Sequence, residues 1–229
     1  MSTNLAQQLR QGTTKSHSMA ENVSFVKSFL GGVVDKKSYR KLVANLFFVY
    51  VAIEEEMEKN QNHDSVKYIY FTQLNRKQSL IADLQYYYGP SWQNEIEISP
   101  ATQAYVNRIH NIGCDQPDLL IAHSYTRYMG DLSGGQILKK IAQNAMSLEN
   151  NNGTAFYDFP EIKNDQQFKE MYRDALNNVP LDQKQIKQII SEANIAFDLN
   201  MKMFQELNSN LIKIMLMLLI SAINGLRKK

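Results

Sequence analysis

Apolar residues recur at helical spacing along most of this 229-residue chain. In the segment SYRKLVANLFFVYVAIEEEMEK they stand three or four positions apart, at Leu42, Leu46, Val49, Ile53 and Met57. That interval places side chains on one face of an α-helix. No long stretch alternates β-branched and polar residues as a half-buried strand would, and only five prolines and ten glycines interrupt the chain. The sequence therefore predicts an all-α fold.

Glycine and proline mark several ends of these helices. Gly31-Gly32 and Gly89-Pro90 are stop signals, and Ser99-Pro100 is a start signal because proline suits the first helical turn. Helices are predicted over residues 4–30, 38–59, 73–89, 99–113, 115–146, 164–179 and 181–223, with one substantial loop over residues 150–162. Since no repeat or linker is present, residues 1–229 are predicted to form a single-domain multi-helix bundle, with residues 211–229 as a C-terminal helix or tail.

Charge and composition narrow the classes of partner. A formal net charge of +2 gives no reason to expect nucleic-acid binding, but it permits a local basic patch that faces an acidic protein. The single cysteine, Cys114, excludes internal disulfides and fits a reducing compartment. The apolar stretch LIKIMLMLLISAI is 13 residues long and contains Lys213, which is too short for a membrane span. It is expected to pack on the core, with a membrane-surface helix as the alternative.

The familiar catalytic motifs are missing from the chain. It has no E-x-x-H or HExxH pair, no Walker A loop, no GxGxxG and no GxSxG. Any chemistry is therefore expected to belong to a cofactor. Of the four histidines, His17 alone has a carboxylate, Glu21, one helical turn away, an arrangement that suits a metal-bound imidazole. An ordinary surface His–Glu pair is the alternative. His63 is expected in a loop, His110 on a helix surface and His123 hydrogen-bonded in the core.

The stretch GDLSGGQILKK, residues 130–140, places three glycines inside a helical pattern. Each glycine costs roughly 1 kcal/mol relative to alanine in a helix interior. The apolar pattern keeps its phase on both sides, which favours a kinked helix over a turn. Gly130 and Gly134 open the same face, either for close packing of another helix or for approach to a large flat ligand. Asp131 favours the ligand, because a carboxylate suits a wet cavity better than a dry helix contact.

These residues carry a resemblance to a known family. AHSYTRYMGDLSGGQILKKIAQ resembles the distal-helix signature of haem oxygenases, and KSHSMAENVSFVKSFL resembles their proximal helix. FVYVAIEEEME, FKEMYRDAL and EANIAFDLNMKMF continue the match in the expected order, so that it covers the chain to about residue 210. The overall sequence pattern is most similar to that of the cyanobacterial and algal plastid members.

The resemblance implies that haem lies between a proximal helix and a kinked, glycine-rich distal helix. His17 then matches the axial iron ligand and Glu21 its hydrogen-bonding partner. Gly130 and Gly134 match the backbone wall over the distal side, and Asp131 matches the anchor of a distal water network, with Arg127 beside it.

Further positions match the surroundings of the haem. Those expected around the haem or the water network are Tyr50, Phe197, Asn200 and Phe204, and those expected in the pocket wall are Tyr125 and Thr126. The group expected to hold the propionates is Arg10, Lys169, Tyr172 and Arg173. Family members often carry a lysine where this chain has Thr14, and Lys15 points about 100° away around the helix. Arg10, Lys169 and Arg173 are therefore expected to bind the propionates.

The implied activity is the opening of haem b, both substrate and prosthetic group, at its α-meso carbon. The products are biliverdin IXα, carbon monoxide and ferrous iron, and the reaction consumes O2 and electrons from outside the chain. The expected donor is reduced ferredoxin, an acidic protein that would meet a basic surface around Arg10, Lys15, Lys169 and Arg173.

The resemblance also implies a setting for this activity. It predicts a monomer in a cyanobacterial cytoplasm or plastid stroma, with biliverdin supplied to phycobilin synthesis and a bilin reductase downstream. The alternatives are a non-catalytic haem carrier on the same fold and a helical interaction module that binds no haem.

Overall fold

The computed structural model of the chain describes residues 4–149 and 152–207, which form α-helices joined by turns and short 3-10 or π-helical segments. The helices are α1 Leu5–Gly12, α2 Thr14–Glu21, α3 Ser24–Leu30, α4 Lys36–Lys59, α5 Lys77–Tyr88, α6 Pro100–Asp115, α7 Leu120–Ser124, α8 Gly130–Met146, α9 Asp165–Asn178 and α10 Gln183–Glu206. The all-α prediction is confirmed. The predicted C-terminal helix or tail, residues 211–229, lies outside the described residues.

The two 24-residue helices, α4 and α10, organise the core. Helix α4 packs against α5 and α6, and α10 packs against α1, α2, α6 and α7. The apolar stripe of α4 points inward, since Val49 and Ile53 are completely buried. At the start of α6 the Ser99 side chain accepts the Thr102 N–H, and Pro100 occupies the first turn. The Ser-Pro start signal is thereby confirmed.

The N-terminal segment departs from the prediction, because residues 4–30 form three helices and not one. The breaks fall at Thr13, whose φ and ψ are −108° and 0°, and at Val23, which is extended. The Thr13 hydroxyl donates to the Leu9 carbonyl one turn back, a bond that competes with regular helix geometry. Leu9 and Val23 are buried, whereas α2 between the breaks buries no side chain. The two breaks therefore leave α2 on the surface.

The predicted helix over residues 115–146 runs in four consecutive parts. A 3-10 turn at Pro117–Leu119 precedes α7, a π-helical segment covers Tyr125–Met129, and α8 begins at Gly130. Single π-helical turns are an established cause of irregularity inside helices. The irregularity thus lies in the turn before the first glycine and not at the glycines themselves.

Two other boundaries affect the site. Helix α5 begins at Lys77 and not at Gln73, because the N–H groups of Arg76 and Lys77 donate to the buried Glu54 carboxylate of α4. In the described part of the predicted loop, a 3-10 turn at Ala155–Tyr157 lies against α5 and α8. None of the helices in the described ranges is both long enough and apolar enough to span a bilayer.

Candidate cofactor site

One face of α8 opens onto free space. A Cβ atom built at Gly130 or at Gly134 would meet nothing within 4 Å, whereas one at Gly135 would lie 3.5 Å from the Tyr157 ring. Because Gly130 and Gly134 are four residues apart, they share one face of the helix. Bare backbone therefore borders a space that side chains leave open, which is the placement that a flat ligand requires. Helix packing, the alternative for these two glycines, is not what the structure shows among the described residues.

Beside this face lies a buried polar network. The Tyr50 hydroxyl donates to Asp131 and accepts from Nε of Arg127 at 2.9 Å. Arg127 also donates to the Asn200 side-chain carbonyl at 2.8 Å, and its Nη2 lies 3.7 Å from Asp131 Oδ1. Helices α4, α8 and α10 and the π-helical segment each supply one member. The structure thus brings together four residues that the resemblance placed near one another.

The charges of this network oppose the cost of burying Asp131. Burial raises the pKa of the Asp131 carboxyl, while the charge of Arg127, the hydrogen bond from Tyr50 and the charge of Arg76 lower it. Burial also raises the pKa of Tyr50 well above its ordinary value, so that Tyr50 remains a hydrogen-bond donor. Asp131 is therefore a partly buried carboxyl group, oriented by two neighbours, next to the open glycine face. Such a group can hold ordered water.

Helix α2 carries His17 in an exposed position. The His17 side chain is 61% exposed, and its Nδ1 lies 3.6 Å from Glu21 Oε1. A hydrogen bond from Nδ1 to a carboxylate would leave Nε2 available to a metal. In the described ranges no group of three or more His, Cys, Asp or Glu side chains could hold a metal ion. A single imidazole instead suits an iron whose other ligands come from a porphyrin.

One face of α10 joins the two sides of the site. Phe197, Asn200 and Phe204 stand at helical spacing and share that face. The Phe197 ring meets the His17 ring edge-on at 5.9 Å, and Asn200 binds Arg127. Phe204 stacks on Phe25 of α3, with ring centroids 6.2 Å apart. Helix α10 therefore contacts both His17 and the polar network beside the glycine face.

Two of the predicted propionate residues, Arg10 and Arg173, lie near Tyr125. Arg10 and Arg173 are close enough to the Tyr125 hydroxyl to lower its pKa, against the stronger effect of burial, which raises it. Lys169 is half-buried on α9, one turn from Arg173. Thr14 is exposed and its hydroxyl donates to the Arg10 carbonyl at 2.9 Å. The role of Arg10, Lys169 and Arg173 in binding propionates stays a prediction.

Tyr172 is placed differently from the propionate contact that the resemblance implies. Its side chain is completely buried, and its hydroxyl bonds to the Ser124 hydroxyl at 2.8 Å. A fully buried side chain offers no surface to an added group in this conformation, and the propionate contact of Tyr172 stays a prediction. Thr126 is also buried, and its hydroxyl has no partner within the part of the chain that is described.

The remaining histidines test the other sequence predictions. His63 lies in a turn, as predicted. His123 is fully buried with Nε2 2.9 Å from Glu192 Oε1, which confirms its predicted place in the core. Two bonds from Arg108 complete that cluster. His110 is partly exposed, and its Nδ1 lies 2.7 Å from Glu56, so it joins α6 to α4.

Sequence reasoning missed several residues that support the site. Phe156 packs its ring on Tyr50 at 5.3 Å from within a loop, and Phe25 stacks on Phe204. Ser16 of α2 donates to Asn194 of α10 at 2.5 Å, which ties the His17 helix to its neighbour. Arg76 is buried, and its charge lowers the pKa of Asp131. Loop aromatics and single polar residues follow no period, so no pattern in the sequence could have identified them.

Comparison with known proteins agrees with this geometry. The family model described as Heme oxygenase matches residues 3–206. The heme oxygenase of Porphyra purpurea is 66% identical over 97% of this chain and 94% of its own length. Heme oxygenase 1 of Synechocystis is 62% identical over 93% of this chain and 88% of its own length.

A solved structure agrees as well. The crystal structure of heme oxygenase-1 from the cyanobacterium Synechocystis in complex with heme superposes with a TM-score of 0.90, at 60% identity. The alignment covers 96% of this chain and 99% of that chain. These matches show that the chain belongs to the haem oxygenase family.

Proposed function

We propose that the chain binds haem b between α2 and the glycine face of α8 and opens it at the α-meso carbon. The products would be biliverdin IXα, carbon monoxide and ferrous iron. The observation that carries this proposal is the free space over Gly130 and Gly134 directly beside the Asp131 network. A flat ligand in that space would have His17 on one side and bare backbone with a carboxyl group on the other.

Haem, when bound, supplies both the iron at which O2 is reduced and the carbon skeleton that is oxidised. His17 would hold the iron through Nε2, and Glu21 would orient the ring by accepting from Nδ1. Phe197, against the imidazole edge, limits its rotation. A neutral imidazole donates less electron density than a thiolate does, and Cys114 is exposed at the end of α6. An imidazole ligand therefore gives less of the electron push towards O–O cleavage that a thiolate supplies.

On the distal side, no side chain projects from Gly130 or Gly134 to act as a direct acid or base. Asp131 would instead hold water over the glycine face, and that water would deliver protons. The hydrogen bond from Tyr50 and the nearby Arg127 fix the carboxyl group, so the water is held in one place. Because Arg127 is anchored to Asn200, the whole network keeps its orientation without the ligand.

Electrons would come from reduced ferredoxin, which is acidic. Arg10 and Lys15 are exposed on α1 and α2, and Lys169 and Arg173 are partly exposed on α9. Such a basic surface around the propionate end would steer an acidic donor, and salt would weaken this steering. The relatives from Porphyra and Synechocystis support a role in bilin synthesis, in a plastid stroma or a cyanobacterial cytoplasm. A single domain over residues 1–229, a monomeric state and a bilin reductase downstream belong to the same proposal.

The test is a titration with haemin followed by turnover. Haemin should give a Soret band, and reduced ferredoxin with O2 should replace that band by biliverdin absorption, with the IXα isomer alone on chromatography. A stable Soret band under turnover conditions would indicate a haem carrier. No Soret band at all would contradict haem binding. Ferredoxin-driven turnover that does not slow with rising ionic strength would contradict the proposed docking surface.

A further inference from the structure

Arg76 is a buried cation whose side chain, among the residues that the structure describes, bonds only to backbone carbonyls. It is 2% exposed and lies at the start of α5. Its Nε donates to the Leu74 carbonyl at 2.9 Å, and its Nη1 donates to the carbonyls of Phe156 and Asp158. Nη2 donates weakly to the Gln73 carbonyl at 3.4 Å, and the guanidinium lies 3.8 Å from the centre of the Phe159 ring. All four of these hydrogen bonds thus go to neutral carbonyl groups.

No carboxylate within residues 4–149 and 152–207 lies at ion-pairing distance from this guanidinium. Buried charges in proteins are usually paired, so an anion at longer range is expected. Burial lowers the pKa of Arg76, and the Asp131 carboxylate is the strongest of the groups that oppose this effect. The charge of Arg76 in turn lowers the pKa of Asp131, after the larger effects of Arg127 and Tyr50.

A second connection runs through the loop that contains Phe156. The Phe156 carbonyl accepts from Arg76, and its N–H donates to the buried Asp83 carboxylate at 2.8 Å. Its ring packs on Tyr50, whose hydroxyl donates to Asp131. Lys139 of α8 binds the Asp158 carboxylate at 2.7 Å and fixes the far end of the segment. Arg76 thereby contacts the loop that backs Tyr50.

We propose that Arg76 is a positioning residue of the site. Its charge acts behind Arg127 to keep Asp131 ionised, and its hydrogen bonds to the Phe156 and Asp158 carbonyls keep the Phe156 ring against Tyr50. The catalytic consequence rests on the proposed function, but the electrostatic claim concerns the protein without haem. Arg76 and Arg127 together supply two positive charges to one buried carboxyl group.

The groups that face Asp131 decide how this claim can be tested. The charges or hydrogen bonds that lower its pKa come from Arg127, Tyr50 and Arg76. Three further tyrosines have their own pKa raised in part by the Asp131 charge, namely Tyr105, Tyr128 and Tyr157. These tyrosines stay neutral at physiological pH because burial raises their pKa values. Of these groups the two arginines carry the charge, so a substitution at Arg76 or Arg127 changes the electrostatic environment of Asp131.

The experiment is an NMR titration of the apoprotein labelled with 13C at the aspartate side-chain carboxyls, in which Asp131→Asn identifies the Asp131 signal. Arg76→Gln removes the charge and keeps hydrogen-bond donors, and Arg76→Lys keeps the charge and loses the planar fork. We expect the Asp131 midpoint to rise by about one pH unit in Arg76→Gln, a tenfold gain in proton affinity. It should stay near the wild-type value in Arg76→Lys. Lys77→Gln, the same charge change at the next and more exposed residue, should also leave it unchanged.

An Asp131 midpoint that does not move in Arg76→Gln would overturn the proposal, and so would equal shifts in Arg76→Gln and Arg76→Lys. Should Arg76→Gln fail to fold, Arg76→Lys decides, because a shifted midpoint with the positive charge retained would show that packing alone matters. The haem-loaded Arg76→Gln enzyme should recover biliverdin formation as the pH rises by the same unit. Absence of biliverdin formation in the wild-type enzyme would instead contradict the proposed function and leave the titration result unaffected.

Discussion

The two sides of the site differ in how deeply their side chains are buried. On the distal side, Tyr50 is completely buried and the Arg127 and Asp131 side chains are 10% and 11% exposed, with hydrogen bonds to α4 and α10. On the proximal side, α2 buries no side chain, and His17 and Glu21 are 61% and 57% exposed. The distal side is therefore part of the folded core, whereas the proximal side is an exposed helix attached to α10.

This difference indicates which contacts depend on the ligand. A buried, mutually bonded network keeps its geometry because moving one member leaves the others unsatisfied. An exposed helix with few buried contacts opens locally at lower cost. We infer that protein packing fixes the water-holding side in advance and that the ligand itself completes the iron-binding side. Changes in the two regions should then separate into effects on catalysis and stability and effects on haem ligation.

The largest contrast is expected from His17→Ala. Removal of the imidazole should abolish the spectral signature of the axial ligand in the haem complex. Because the side chain is mostly exposed, the free energy of unfolding of the apoprotein should change by about 1 kcal/mol or less. The measurements are the absorption spectrum of the haemin complex, with and without added imidazole, and urea unfolding of the apoprotein. An unchanged haem spectrum would show that His17 is not the ligand.

Asp131→Ala should affect both catalysis and stability. Loss of the group that holds water should lower biliverdin yield roughly a hundredfold and divert turnover to the oxidation of added peroxidase substrates. It also leaves Arg127 without its closest anion, so the apoprotein should lose about 3 kcal/mol of unfolding free energy. Asp131→Asn, which keeps the shape, is the control for packing. Undiminished biliverdin yield in Asp131→Ala would contradict the water-network role.

The sequence predicted the helices and the two sides of the site but not the way in which the N-terminal segment divides. Leu5, Leu9, Val23 and Val26 keep an apolar pattern through residues 4–30, and periodicity alone continues a helix across it. The break at Thr13 involves a side-chain bond to Leu9 together with tertiary packing, which no spacing records. That break is the reason why α2, with His17, lies on the surface.

The same limit explains why the burial of Tyr172 and the contacts of Arg76 and Phe156 were not predicted. Tyr172 and Arg173 are neighbours in the sequence, and a match to a family motif gives both one role. A helix turns by 100° per residue, so one of the two reaches the core while the other remains partly exposed. Arg76 and Phe156 escaped notice because their importance arises from contacts between segments about 80 residues apart.

Substitutions of two carboxylates, Glu192 in the core and Glu21 on α2, allow the stability of the two regions to be compared in the apoprotein. Burial alone would raise the pKa of Glu192, but Arg108 and His123 outweigh it and lower that pKa from 4.5 to about 2. The ionised form therefore stabilises the fold above about pH 4.5, and this contribution disappears as the pH falls towards 2. Glu192→Gln should cost about 3 kcal/mol at pH 7 and flatten the acid limb of the stability curve.

The exposed Glu21 serves as the matched control. Glu21→Gln should change the unfolding free energy of the apoprotein by less than about 0.5 kcal/mol at any pH between 3 and 8. Thermal and urea unfolding of both variants across that range would measure the difference. Equal losses of unfolding free energy in Glu21→Gln and Glu192→Gln would mean that α2 contributes as much to stability as the core around Glu192. The proposed difference between the two regions would then be wrong.

The smallest expected effect, and the one most specific to geometry, comes from the adjacent glycines of α8. Gly134→Ala places a methyl group in the free space. If haem occupies that space, the methyl group would overpack it at a cost of about 1–3 kcal/mol, so haem affinity should fall roughly tenfold. Gly135→Ala places the same group in ordinary contact with Tyr157. Both should stabilise the apoprotein helix by about 0.5–1 kcal/mol, so stability cannot distinguish them.

Haem titration can distinguish Gly134→Ala from Gly135→Ala, because of these two positions only 134 faces the space that the ligand would enter. Weaker binding confined to Gly134→Ala, and more severe in Gly130→Val, would show that the glycine face contacts the haem. Equal haem affinity in Gly134→Ala and Gly135→Ala, or normal activity in Gly130→Val, would mean that this face points away from the ligand. The distal side would then remain a well-packed part of the core, but it would have no part in the site.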